Sequence, residues 1–202
     1  AGEPDSIFFE IFFKALKKNS YKSPLILICC KNLLIRQMKK FKFKMILMNL
    51  KIKDLENVNF NNKSINLINI KLQNSSNIGS KNKNTKTYID ESFKVAFQLI
   101  KNGISNKLIN GPINKKSFLE NKFHGVTEYI SSEFNTKKVG MLIYNKKLSV
   151  SPLTTHLPIK LVSKKITKKL IEEKIIIINS FFIKNFNFKP KIAVTGINPH
   201  CE

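Results

Sequence analysis

The chain has 202 residues, 42% of them hydrophobic, enough to bury a core as one large domain or two small ones. Thirty-six Lys and Arg against 13 Asp and Glu give a net charge of +23, which favours anionic partners such as phosphate backbones but does not specify a fold. No apolar run nears the roughly 18 residues that span a bilayer, the start at Ala1, Gly2, Glu3, Pro4 has no basic-then-apolar leader pattern, and three cysteines without a CxxC pair fit neither a disulfide framework nor a zinc ribbon, so a cytoplasmic protein is expected.

In chain order, Pro24 to Cys30 predicts a buried strand, followed by a helix from Lys31 to about Lys40 with Leu34, Met38 and Phe41 on one face. Lys44 to Leu47 and Asn66 to Ile70 predict two more strands. Asn74 to Lys86, rich in Asn, Ser, Lys and Gly, predicts an exposed loop. Phe93, Ala96, Phe97 and Ile100 repeat at helical spacing until Asn102 and Gly103 stop the helix. Lys107 to Asn110 predicts a short strand running into Gly111 and Pro112. Val139 to Tyr144 and Leu148 to Leu153 predict a hairpin turning at Asn145 to Lys147. From Thr167, Ile171, Ile175, Ile178 and Phe182 predict a long helix in spite of the β-branched run, and Lys191 to Val194 predicts the last strand. Strands alternating with helices predict an α/β fold, and the hairpin implies a mixed sheet.

The charge has a compositional explanation. Lys, Asn and Ile are abundant throughout, Arg36 is the single arginine and Trp is absent, a pattern of nucleotide bias in the coding DNA. A reader of nucleic acid leans on arginine for bidentate contacts.

Three places share one layout, an apolar run entering a polar turn. Gly111, Pro112, Ile113, Asn114 and Lys115 present an amide and an ammonium at the start of a helix, a place suited to an anion; the plain alternative is an ordinary turn with a solvated lysine. Thr154, Thr155, His156, Leu157 and Pro158 hold a histidine between a strand end and a proline. Thr195 to Glu202 set His200 after the last strand. A neutral imidazole is a ready metal ligand, although a lone histidine is more often structural; two in matching contexts raise the case for a metal. His124 lacks that context and is expected at the surface or at a helix cap. GxGxxG, GxxxxGK[ST], GxSxG and HExxH are all missing, so the common dinucleotide, P-loop, hydrolase and zincin routes have no support.

At these residues the chain resembles the 4-hydroxythreonine-4-phosphate dehydrogenase family of vitamin B6 biosynthesis. The matching segments are AGEPDSIFFEIFFKAL, NGPINKKSF, GVTEYI, SVSPLTTHLPIK and AVTGINPHCE, in family order over essentially the whole chain. The resemblance implies the two-domain, mixed-sheet α/β/α fold of the isocitrate and isopropylmalate dehydrogenases, which binds NAD without the Rossmann glycine pattern. It divides the chain at residues 1–117 and 118–202. It further implies NAD-dependent oxidation and decarboxylation of 4-phosphohydroxy-L-threonine to 3-amino-2-oxopropyl phosphate, with a divalent metal (Zn, Mg or Co) holding substrate oxygens, in a homodimer with no nucleic-acid or membrane partner. His156 and His200 match two of three metal-ligand histidines, Thr127 matches a substrate-contacting threonine, and Lys115 falls beside the substrate as a candidate catalytic group.

Two departures stand out. Val126 occupies the position of a substrate-contacting histidine in the family's Gly-His-Thr-Glu, and the glycine expected between Cys201 and Glu202 is missing. The resemblance also implies that the third metal histidine, further phosphate-binding residues and much of the nucleotide site follow Glu202, so that these 202 residues are a C-terminally incomplete piece, inactive by themselves. The alternatives are a dehydrogenase of a related phosphorylated hydroxy acid, since Val126 alters the pocket, and a basic nucleic-acid-binding protein.

Overall fold

The computed structural model describes residues 2–18, 20–73, 83–120 and 122–198. The chain forms two compact units, Ala1–Gly125 and Val126–Glu202.

In the first unit, α1 (Phe8–Lys18) has Phe9 and Phe13 one turn apart and buried. The ring of Phe13 stacks on Phe43 with centroids 4.5 Å apart. Then come β1 (Ile26–Cys29), α2 (Lys31–Lys40), β2 (Ile46–Leu50), a 3-10 turn (Ile52–Asn57) and β3 (Ser64–Asn69). The three strands make one parallel sheet in the order β1-β3-β2, with Leu27 opposite Leu67 and Leu47 opposite Ile65. The central strand β3 is buried from Ile65 to Ile68, as expected where a parallel strand is covered on both faces. Its one polar member in that stretch, Asn66, donates from Nδ2 to the carbonyls of Leu25 (3.0 Å) and Asn61 (2.8 Å) and so ties the strand's start to its neighbours.

α3 (Lys83–Lys101) packs on this sheet at β1, with Tyr88, Ile89, Phe93, Ala96 and Phe97 buried. The Tyr88 hydroxyl accepts a hydrogen bond from the Cys30 N–H at 3.3 Å, between β1 and α2. Gly103, at φ 74°, ends α3 in the left-handed region that glycine enters without strain. α4 (Lys115–Leu119) returns Phe118 to Phe93, ring centroids 5.5 Å apart.

The second unit contains α5 (Val126–Glu133), α6 (Ile159–Lys165) and α7 (Lys168–Phe186). Thr167 caps α7, its hydroxyl accepting from the Leu170 N–H at 3.2 Å. Phe182 is the buried residue of this unit among those described, and it meets Phe181, Phe186, Phe188 and Tyr144. The Lys174 ammonium donates to the Val139 carbonyl, fixing residue 139 on α7.

The α/β class, the helix over 31–40 and the long helix after Thr167 agree with the sequence reading. Other expectations are corrected. The sheet is wholly parallel, not mixed, among the described residues. The segments 139–144 and 148–153 make a single antiparallel bridge, Ile143 to Val150, in place of two strands. Ile143, Leu148 and Val150 there are more than half exposed, and an isolated two-strand ribbon is marginal. Residues 107–110 run without a ladder partner and leave Ile109 80% exposed; residues 191–194 likewise form no strand. α3 begins at Lys83, inside the expected loop, whose residues 74–82 lie outside the described ones.

Candidate active site

Lys115 opens α4 and is exposed. The residue before it, Asn114, is the helix N-cap: its side-chain oxygen accepts from the Ser117 N–H at 3.2 Å. The turn leading there is held by the N-terminal segment. The Glu3 N–H donates to the Pro112 carbonyl at 2.8 Å, and the Asn114 N–H donates to Glu3 Oε1 at 3.1 Å. Gly2 lies against Gly111 so closely that a β-carbon on Gly2 would stand 2.9 Å from the Gly111 backbone. Glu3 is 8% exposed. Burial pushes its carboxyl above the usual carboxylate range, the Asn114 hydrogen bond opposes that shift, and Asp5 adds to it.

Sequence reasoning missed this residue. Glu3 stands in the Gly-Glu-Pro opening, but nothing local marks a carboxylate for burial against a turn 111 positions away. Glu10 forms an i,i+4 pair with Lys14 at 2.5 Å on the outer side of α1.

In the second unit, Val126 and Thr127 are the first two residues of α5, Val126 half-buried and Thr127 exposed. His156 is exposed in the bend before α6, whose N-cap is Pro158. Its backbone is left-handed, φ 56°. The other described non-glycine residues with positive φ, namely Lys42, Glu120, Asn135 and Asn187, close a helix or follow one within two residues; His156 is different, sitting in a loop. A non-glycine residue in that region costs on the order of 1 kcal/mol and persists where its surroundings impose it, which happens often at functional sites. The expected strand before His156 does not form; residues 151–155 are irregular with a bend at Leu153, and Pro158 follows the histidine. His124 is exposed, as expected.

His200 lies outside the described residues. Among those described, no three His, Cys, Asp or Glu side chains gather as a metal-holding group. The donor chemistry of His156 suits a borderline cation such as Zn or Co, since an exposed imidazole offers a nitrogen without a buried charge. Lys115 belongs to the first unit, and Val126, Thr127 and His156 to the second.

The family model for the pyridoxal phosphate biosynthetic protein PdxA matches residues 22–202. The chain belongs to this family. Among the family's members, a 4-hydroxythreonine-4-phosphate dehydrogenase of Sulfurihydrogenibium sp. is 32% identical over 208 aligned residues, taking in 100% of this chain and 62% of that protein. A solved structure of a proposed 4-hydroxythreonine-4-phosphate dehydrogenase from Salmonella typhimurium superposes with a TM-score of 0.82 at 25% identity, covering 98% of this chain and 63% of the other. The 4-hydroxythreonine-4-phosphate dehydrogenase of Klebsiella pneumoniae gives 0.81 at 23% identity, with 98% and 62% covered, a likeness of fold. The chain thus spans under two thirds of the length of these relatives.

Proposed function

We propose that the chain works in pyridoxal phosphate biosynthesis as part of an NAD- and metal-dependent dehydrogenase. On this reading the enzyme oxidises and decarboxylates 4-phosphohydroxy-L-threonine to 3-amino-2-oxopropyl phosphate, in the cytoplasm, as a homodimer, on the isocitrate dehydrogenase type of fold. The observation that carries it is the family match over residues 22–202, and the exposure of Lys115, Thr127 and His156 supports it. No described helix is long and apolar enough to cross a membrane. Exposed Ile143, Tyr144, Phe181 and Phe186 offer an apolar face for a second copy.

His156 and His200 would hold the cation through imidazole nitrogens. Bound there, the cation supplies Lewis acidity toward the substrate oxygens and NAD supplies the hydride acceptor. Lys115 provides a solvated positive charge for the phosphate or carboxylate of the substrate. Thr127 provides a hydroxyl that can donate to it or accept from it. Val126 presents an apolar side chain in place of the family's imidazole, which removes one hydrogen-bonding group at that position.

Metal titration of wild type, His156→Ala and His200→Ala tests the reading, alongside appearance of reduced nicotinamide with 4-phosphohydroxy-L-threonine. Each substitution should weaken metal binding at least tenfold, as loss of a ligand does. If neither does, the ligand assignment is wrong. The charge of +23 motivates a second reading, binding to nucleic acid. A steep loss of DNA binding with salt, with no metal dependence, would favour it.

A further inference from the structure

We propose that Glu3 is a positioning residue for the turn that carries Lys115. Its carboxylate sets where the Lys115 backbone stands, and with it the root of that side chain, by accepting the backbone N–H of Asn114. As it concerns substrate, this rests on the dehydrogenase reading above.

The connection is short and has little slack. Glu3 Oε1 accepts the Asn114 N–H at 3.1 Å, and the Glu3 N–H donates to the Pro112 carbonyl at 2.8 Å. One residue thus grips the turn on both sides of Ile113. Ser6 braces Glu3 in turn, its hydroxyl donating to the Glu3 carbonyl at 2.7 Å and its N–H donating there at 3.0 Å. The other side of the grip is the Gly2 to Gly111 approach, where the Gly111 position is also closed by Phe8: a β-carbon there would stand 2.6 Å from the Phe8 ring. Asn114 has its own side chain committed to Ser117. The N–H that Glu3 takes is therefore what joins the cap of α4 to the N-terminal segment, and Lys115 is the next residue.

The acceptor oxygen is what the turn uses: at 3.1 Å from the Asn114 nitrogen it fixes that N–H at a buried place, and an amide oxygen would make the same bond. Holding the turn is useful where the following residue must meet an anion at a fixed place, since displacement of a positioning group by about 1 Å is enough to cost on the order of 100-fold in rate.

The experiment compares Glu3→Ala and Glu3→Gln with wild type in the full chain. The first readout is hydrogen exchange. In Glu3→Ala the amides of Asn114 to Ser117 should exchange at least tenfold faster while those of Leu67 and Ile68 in the sheet keep their wild-type rates; Glu3→Gln should restore protection. The second readout is kinetic: KM for 4-phosphohydroxy-L-threonine should rise about tenfold in Glu3→Ala, KM for NAD should stay put, and Glu3→Gln should recover most of the loss. Unchanged exchange at Asn114, or equal acceleration at Leu67, overturns the proposal, the second outcome making Glu3 merely a core residue. If the whole wild-type enzyme of which this chain is part fails to reduce NAD with this substrate, the dehydrogenase reading fails, and the exchange contrast still decides whether Glu3 sets the turn.

Discussion

Gly2 and Gly111 meet backbone to backbone, with a β-carbon on Gly2 falling 2.9 Å from the Gly111 Cα, from its carbonyl carbon and from the Pro112 oxygen. All three are main-chain atoms and cannot swing aside as a side chain would. Gly2→Ala should therefore destabilise the first unit by about 1–3 kcal/mol, the usual penalty for forcing atoms into a filled space. Urea unfolding followed by far-ultraviolet circular dichroism measures it. A midpoint equal to wild type would mean that the segment peels away at no cost.

The legible part of the chain was the part whose signal is local. The helix over 31–40 and the long helix after Thr167 were readable because apolar spacing suffices to define a helix. The strand at 26–29 was readable as an unbroken apolar run, and that at 64–69 from the isoleucines and leucine set among its polar residues. Residues 107–110 and 191–194 carry similar runs, yet a strand also needs a neighbour at the right register, and no local pattern reports that. In the site, Lys115, Thr127 and His156 were legible from motifs. The Glu3 grip was not, because it joins residues 111 apart.

Burial holds the Glu3 carboxyl above the usual carboxylate range. The folded chain then keeps that proton to higher pH than the unfolded chain does, so this group's share of stability is greatest at low pH. It declines as pH rises from the ordinary glutamate value through the raised folded value. Glu3→Gln removes that slope. Urea midpoints of the two proteins across about pH 4 to 7 should diverge with rising pH in favour of the glutamine variant; parallel curves would rule out the shift.

The buried thiols Cys29 and Cys30 lie at the end of β1, with Cys29 fully covered and burial pushing its thiol well up. Reaction needs the thiolate. A maleimide reagent should leave both unmodified in the native chain and label both in denaturant, as read by peptide mass. Fast native labelling of Cys29 would contradict the packing of β1 under α3.

Phe182 is buried and in contact with four aromatic neighbours in the second unit. Phe182→Ala should lower that unit's stability by about 3 kcal/mol, within the range for large-to-small core changes. Thr167→Ala, which removes the α7 cap, should cost about 1 kcal/mol. Thermal unfolding distinguishes them, and a larger loss from Thr167→Ala than from Phe182→Ala would reverse the assignment of the core.

The strand order β1-β3-β2 also has a consequence in time. The middle strand is the last of the three to leave the ribosome, so β1 and β2 are each without a partner until residues 64–69 emerge. For that interval two apolar strands have exposed edges, the state in which chains pair wrongly with one another. Expression yield should therefore respond more to changes in β3 that delay its docking, such as Leu67→Ser, than to changes of equal severity in the helices.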